Sequence, residues 1–490
     1  MKKLILLLLA LFTAAGVTAN AETVYRKETV KPVSKGVSYI NIRTLDENGW
    51  NNFNILKADL SEPGVSLKIL SNGDITKKST VEQFVSAAEN VVGAVNADFF
   101  TTYPSGAACE GLFIKDGKLV STPSNDKSYA SLAITDEGSV FADYFTFEIT
   151  VTSERTGDMT KCLFYNKIAP EEYLKIYDSG FGRKSPGYFD DGYEVVVEDG
   201  VVVDVLSNKE GVEIPENGYV LHNSLRHSLF LMQNFEIGDG VVLRVELNPD
   251  IEGIRDAVGG GTILLENGVK TKPTLKDSRQ PMTAVGTDKE NGLIYFLAVD
   301  GRLPKSRGIT FSEAAELFAS LGCSDAVSFD GGGSTSMVLK SDGAVSRVNM
   351  QTTQRAVINA VGIESKGKSG VLSYLEPSLK KDSVRLGESV GIDVAGYDEY
   401  MKSVPIGSKL VYSSDKRGRF DENVYTPGET GKHTLTVTAG KISRDVTLEV
   451  KEAEVDENYR DIYTEVPERK ALPSAFSATT ATTAPCIRDS

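Results

Sequence analysis

A short, mostly apolar run, one carboxylate, three glycines and three hydroxyl residues stand in a row at Asp325-Ala326-Val327-Ser328-Phe329-Asp330-Gly331-Gly332-Gly333-Ser334-Thr335-Ser336, and Met337-Val338-Leu339 resumes the apolar pattern. This order reads as a buried strand, a loop and a second strand. Adjacent glycines carry a backbone entropy cost, so a fold keeps three of them where positive φ is needed or where a ligand must approach the main chain. Asp330 then stands at a strand end, facing whatever the loop holds. An isolated Asp-Gly is more simply a hairpin turn, but three glycines followed by Ser-Thr-Ser favour a site. The loop has no Walker A lysine and does not fit Gly-x-Ser-x-Gly, which argues against an NTPase and an α/β-hydrolase.

With 490 residues the chain has room for two or three domains. Lys2 and Lys3, the apolar residues 4–12 and Ala19-Asn20-Ala21 before Glu22 form the pattern of a secretory signal peptide over residues 1–21. That apolar run is short for a membrane anchor. The mature protein is therefore expected to be secreted or associated with the cell envelope, with no transmembrane span after cleavage. Loss of two lysines would take the formal charge from −15 to −17. Such an acidic chain has no footprint for nucleic acid, and an anionic ligand must meet local arginines. Cys109, Cys162, Cys323 and Cys486 are too few for a disulfide framework, and the sequence leaves their pairing open. With three histidines, a His-rich zinc site is not expected. No cofactor is required by the pattern; a divalent cation, if used, would be oxygen-bound calcium or magnesium.

Along the chain, residues 36–70 alternate as strands, and Thr80 with Gln83 marks a capping box opening a helix. Val91-Val92-Gly93-Ala94-Val95 is an uninterrupted apolar strand leading to Asn96 and Asp98, with Glu110 following. Polar groups at the end of such a strand lie where open sheets place ligands, although Asn and Asp also favour strand ends for local hydrogen bonds. Asp-Gly turns at Asp116-Gly117, Asp199-Gly200 and Asp342-Gly343 indicate hairpins. Residues 293–299 form the strongest strand, ending at Asp300-Gly301-Arg302; a helix capped by Thr310 and Glu313 leads to the Asp330 strand. This is a βαβ unit expected to deliver Asp300, Arg302 and Asp330 from neighbouring strand ends. A turn ion pair between Asp300 and Arg302 is the plainer alternative. Arg355 opens a last buried strand containing Asn359. After a linker at 366–370, residues 371–451 alternate as a small immunoglobulin-like β-sandwich. Residues 452–490, charged and then rich in Ala, Thr, Ser and Pro, are expected to be disordered.

Taken in order, Asn96-Ala97-Asp98-Phe99-Phe100, Ala257-Val258-Gly259-Gly260-Gly261, Pro281-Met282-Thr283-Ala284-Val285-Gly286, Val299-Asp300-Gly301-Arg302, Phe329-Asp330-Gly331-Gly332-Gly333-Ser334 and Arg355-Ala356-Val357-Ile358-Asn359-Ala360 resemble the phosphodiester glycosidase family. The resemblance spans roughly residues 36–365 and gives the domain boundary of 22–365. It implies an α+β, mixed-sheet catalytic domain with few helices that hydrolyses the bond between a sugar's anomeric carbon and a phosphate. Met282 stands where the family commonly has arginine, which leaves Arg279 as a substitute, and Asp98 stands where glycine is also common.

That chemistry needs stabilisation of an oxocarbenium-like centre and a grip on the departing phosphate. Asp330 is the candidate base or nucleophile, with Glu110 and Asp98 as further carboxylates or metal ligands. Arg302 and Arg355 would hold the phosphate, and the backbone of Gly331, Gly332, Gly333 and Ser334 would cradle it. Asn96 and Thr283 would orient sugar hydroxyls, with Asp300 and Asn359 also in the binding set. Two other readings stay open: a non-catalytic carbohydrate-binding or envelope-associated protein, and a metal-dependent phosphodiesterase. In each the partner is a sugar-phosphate or glycan.

Overall fold

A computed structural model describes residues 23–103, 106–123, 128–168, 172–186, 192–208, 210–250, 252–350 and 354–453. The signal peptide, Cys486 and all but the first two residues of the expected tail lie outside the described residues. The chain divides into two compact units. One takes the described residues up to Tyr374 together with Gly396–Pro405, and the other takes Leu375–Ala395 and the residues from Ile406 onward. The division falls just after the linker expected at 366–370, and Gly396–Pro405 group with the larger unit.

The larger unit is built around two antiparallel sheets. Eight strands run in the order Tyr25–Ser34, Val37–Asp46, Gly49–Asp59, Leu293–Val299, Met282–Asp288, Asp325–Ser328, Ile263–Glu266 and Val269–Lys270. Five run in the order Ala344–Arg347, Met337–Ser341, Val91–Asn96, Asn359–Ser365 and Val65–Ser71. One apolar cluster joins them, with Leu56, Ile294 and Phe296 of the larger sheet packed with Val92, Val95 and Val361 of the smaller. Alternate residues of the larger sheet, Ile55, Tyr295 and Leu297, face the helix Phe311–Ser320. On the far side of the smaller sheet, Ala94, Val338 and Ala360 pack with Phe84 and Val85 of the helix Val81–Ala87. Central strands are thus covered on both faces, which explains their continuous apolar runs.

Both expected capping boxes form: Thr80 with Gln83, and Thr310 with Glu313. The three Asp-Gly hairpins also form, with positive φ at both turn residues. The βαβ unit differs in one respect. Met282–Asp288 lies between Leu293–Val299 and Asp325–Ser328 and is antiparallel to each, so the two strands joined by the helix are parallel but not adjacent. The mixed-sheet expectation narrows accordingly; a parallel ladder occurs between Phe164–Tyr165 and Lys175–Asp178, in a β-rich insertion with its own core around Ile176, Val195 and Leu221.

The smaller unit contains two four-stranded sheets, Tyr374–Leu379, Val390–Tyr397, Val424–Pro427, Gly418–Asp421 and Ser383–Arg385, Ile442–Lys451, Gly431–Ala439, Leu410–Ser414. Val390, Ile392, Tyr425, Leu435 and Leu448 form its core. No helix among the described residues is long and apolar enough to cross a membrane. Cys109, Cys162 and Cys323 are buried free thiols.

Gly286 marks a close contact between the central strand and the longer helix: a Cβ there would lie 2.4 Å from Phe318 Cδ1 and 2.9 Å from Cys323 Sγ. Gly286→Ala should therefore lower unfolding stability by about 1–3 kcal/mol through overpacking, measured by denaturant titration. Unchanged stability would mean that Phe318 yields without cost.

Candidate functional site

The loop after Asp325–Ser328 carries the chain from the larger sheet to the smaller, and hydrogen bonds hold both of its ends. Phe329 N–H donates to Thr283 O at 2.8 Å, Asp330 N–H to Ala97 O at 2.8 Å and Gly332 N–H to Pro281 O at 2.9 Å. Asn96 completes the junction: its Nδ2 donates to Asp330 O at 2.7 Å, and its Oδ1 accepts from Thr283 Oγ1 at 2.8 Å and Ser336 N–H at 3.0 Å. Asn96 and Thr283 are fully buried. Their polar groups face one another and the loop, so these residues hold the site together and do not line it.

The glycines are required by contact as well as by turn geometry. Gly332 has φ +58°, a Cβ at Gly331 would lie 2.7 Å from Pro281 O, and one at Gly333 would lie 2.8 Å from Arg355 Nη2. A Cβ at Gly332 would sit 3.5 Å from Arg302 Nη1. Both guanidinium groups therefore reach the polyglycine bend, although their positions are 53 residues apart in sequence. Arg355 Nη1 also donates to Ser334 Oγ at 3.3 Å. Half-buried Asp330 has its pKa pushed up to about 6, chiefly by desolvation, against the opposing effects of the Ser334 hydrogen bond, the Arg355 charge and the Gly331 N–H.

Asp98 lies deeper. Gly111 N–H donates to its two oxygens at 3.1 and 3.2 Å, and a Cβ at Gly259 would lie 2.2 Å from Oδ1. A Cβ at Gly111 would come equally close, 2.2 Å, to Gly259 Cα. The second glycine-rich turn thus gives close backbone approach around this carboxyl group. Asp98 N–H donates to Asn359 Oδ1 at 3.0 Å, placing Asn359 behind the site and fully buried. Desolvation pushes Asp98 up to about 8; the Lys167 charge and Gly111 N–H oppose the shift, while Glu110 and Asp330 add to it. Lys167, which sequence reading did not single out, is buried and donates from Nζ to Cys109 O and Glu110 O at 2.8 Å and to Gly111 O at 3.3 Å. It had no local signal, being 57 residues from Glu110 in an irregular stretch.

Glu110, Asp330 and Arg355 converge on one cleft of about 520 Å³, where they are joined by Lys78, Phe99, Phe100 and Tyr129. Glu110 Oε1 accepts a hydrogen bond from Thr101 Oγ1. Asp300 does not reach this cleft. It is fully buried and accepts from Asn52 Nδ2 at 2.6 Å and Met350 N–H at 2.6 Å, and burial raises its pKa. Exposed Arg302, with φ +58°, makes no ion pair with it among the described residues. Neither the expected placement of Asp300 in the site nor the alternative turn ion pair forms; hydrogen bonds from Asn52 and Met350 take their place. Arg279 is likewise engaged elsewhere, with Glu313 and Gly308 O, and does not replace an arginine at 282. No group of three or more His, Cys, Asp or Glu side chains among the described residues is arranged to hold a metal ion.

A cleft with a titratable carboxylate, an arginine and a glycine-rich backbone turn has the parts of an anion-handling hydrolase site. Residues 191–364 match the model of the phosphodiester glycosidase family, so this stretch is a domain of that family. The match includes the Gly259 turn, Thr283, Asp330 and Arg355; Asn96, Asp98 and Glu110 precede it. Among solved structures, the chain is similar to a hypothetical protein from Synechocystis at 18% identity and TM-score 0.59, covering 68% of this chain and 62% of that one. It is also similar to a Burkholderia pseudomallei protein named for inferred export, at 19% identity and TM-score 0.58, covering 69% and 96%. These two likenesses concern the fold. Zebrafish N-acetylglucosamine-1-phosphodiester alpha-N-acetylglucosaminidase catalytic domain aligns at 16% identity and TM-score 0.37, covering 70% and 89%. No curated protein matches.

The raised Asp98 pKa gives a sign for stability. Its folded value, about 8, exceeds the ordinary 3.8, so its stabilising contribution is complete below the ordinary value and is lost as pH rises through 8. Asp98→Asn cannot lose a proton, and should gain more than about 1 kcal/mol on the wild type between pH 4 and pH 8. Parallel pH–stability curves from chemical denaturation would remove the buried-acid assignment.

Proposed function

We propose that the protein is an extracytoplasmic hydrolase that cleaves sugar-1-phosphodiesters between the anomeric carbon and the phosphate. The observation that carries this reading is Asp330, held at the polyglycine bend between Ser334 and Arg355, where desolvation pushes its pKa up to about 6. The leader-like pattern of residues 1–21 and the export in the name of the Burkholderia protein support the location. The name of the zebrafish enzyme supplies N-acetylglucosamine-1-phosphodiesters as first substrates to test. The strands of the smaller unit, up to residue 451, are read as an immunoglobulin-like module serving as a spacer or second glycan-binding surface.

In this mechanism the phosphate lies on Arg355 and the Gly333 N–H, with Arg302 on the outer side; the expected cradle over residues 331–334 narrows to that one donor, because Gly332 N–H donates to Pro281 O, Ser334 N–H to Gly331 O and Gly331 N–H to the Asp330 carboxylate. The departing phosphate monoester is a far better leaving group than an alkoxide, so positive charge on the phosphate matters more than strong acid assistance. Ionised Asp330 takes the proton of a water attacking the anomeric carbon, or attacks that carbon itself to form a glycosyl ester that a water then hydrolyses, freeing the carboxylate. The C–O bond to phosphate breaks, its electron pair leaves with the phosphate monoester, and the sugar keeps the new oxygen. Glu110 faces the same space. Asp98, protonated at neutral pH, adds no negative charge beside the phosphate while it supports the turn at Gly111.

Activity should rise with pH through about 6 as Asp330 loses its proton, read from kcat/KM on an N-acetylglucosamine-1-phosphodiester. Asp330→Asn should reduce turnover at least about a hundredfold and remove that pH limb. Wild-type-like turnover in the variant would take Asp330 out of the mechanism. Hydrolysis in ¹⁸O-water should place the label in the sugar; label in the phosphate would mean P–O cleavage, and binding without turnover would favour a carbohydrate-binding role.

Arg355→Ala should weaken sugar-1-phosphodiester binding far more than binding of the free sugar. Equal losses in calorimetry would assign the arginine to the fold.

A further inference from the structure

Two walls of the cleft differ in kind. On one, Phe99 and Tyr129 meet edge to face with centroids 5.3 Å apart, and the backbone of Phe99 accepts a hydrogen bond from Glu110 N–H. The other carries Arg355, Phe100 and Lys78, whose Nζ stands 5.3 Å from the Phe100 centroid. The Ser79–Val357 bridge, with N–H···O distances of 3.0 and 2.8 Å, sets the Lys78 segment beside the strand that follows Arg355.

Lys78 has no carboxylate partner among the described residues, whereas adjacent Lys77 pairs with Asp74 at 3.1 Å. In a chain of net charge −15, an unpaired ammonium on a cleft wall raises the local potential for an anion. The Phe100 ring supports its position through cation–π attraction. An apolar sugar face suits the Phe99–Tyr129 wall, and the phosphate between the walls meets Arg355. Lys78 then falls on the side of the group esterified to that phosphate.

We propose that the cleft selects sugar-1-phosphodiesters whose second substituent carries a further phosphate, held by Lys78. The proposal rests on the sugar-phosphate reading above and names the chemistry of the leaving side: glycerol phosphate or a repeating phosphodiester, as opposed to a neutral alcohol.

The test uses C1-methylene phosphonate analogues, which bind without being hydrolysed: the methyl ester of the N-acetylglucosamine phosphonate and its glycerol-3-phosphate ester. Calorimetry with the full mature chain at low salt should show the second bound about fivefold more tightly, the scale of one exposed charge contact. Lys78→Gln should abolish the preference and Lys78→Arg should keep it, and added salt should shrink it. Equal affinity for the two analogues in the wild type, or a preference that survives in Lys78→Gln, would overturn the assignment. A wild type that shows the Lys78-dependent preference but turns over neither parent diester would retain this anion site while the hydrolytic reading fell. Failure of both analogues to bind would remove both.

Discussion

One side-chain amide holds the two sheets in register at the site. Asn96 ends a strand of the smaller sheet; its oxygen accepts from Thr283 of the larger sheet, and its nitrogen donates to the Asp330 carbonyl. Its third bond, from Ser336 N–H, reaches the far end of the polyglycine loop. In a fully buried position, each of these groups would otherwise be left without water or partner, a penalty of about 1–3 kcal/mol per group. The position of the Asp330 carboxylate is therefore coupled to sheet-on-sheet packing. Apolar burial brings the layers together without directional preference, and the amide supplies the direction.

The cleft works through unequal solvation of similar groups. Asp330 is half-buried and keeps three compensating partners, so its pKa moves only to about 6. Asp98 is enclosed between Gly111 and Gly259 and moves to about 8 despite the Lys167 charge. Environments that separate two carboxyl groups in this way allow one to be charged and the other neutral at the same pH. For an anionic ligand, neutral Asp98 avoids adding repulsion while its geometry shapes the adjacent turn.

Local sequence carried much of the fold. Capping boxes at Thr80 and Thr310, the Asp-Gly hairpins and the apolar strands are short-range features whose physics is complete within a few residues. The Asp330 loop was legible because three glycines have few other uses. What local pattern could not supply was partner identity. Asp300 looks the same whether it grips a ligand or accepts from Asn52 and Met350, and the second outcome depends on a strand some 250 residues away. Asn96, Thr283 and Asn359 were similarly visible as polar strand-end residues, while their inward orientation was not. Lys167 had no pattern at all, because a lysine bonded to three carbonyls is defined by the turn it meets. The placement of Met282–Asp288 between the two strands of the βαβ unit escaped for the same reason: a βαβ order specifies chain direction but leaves the spatial neighbour open.

The Gly111–Gly259 contact also sets where the site can be remodelled. Any side chain at either position collides with main chain or with Asp98, so the backbone contact directly behind Glu110 is nearly closed to point substitution. Lys78, Thr101 and Tyr129 stand at the margin of the cleft, where side chains can be exchanged without moving a backbone. Divergence toward new ligands would consequently alter the rim first, leaving an invariant base beneath a variable entrance.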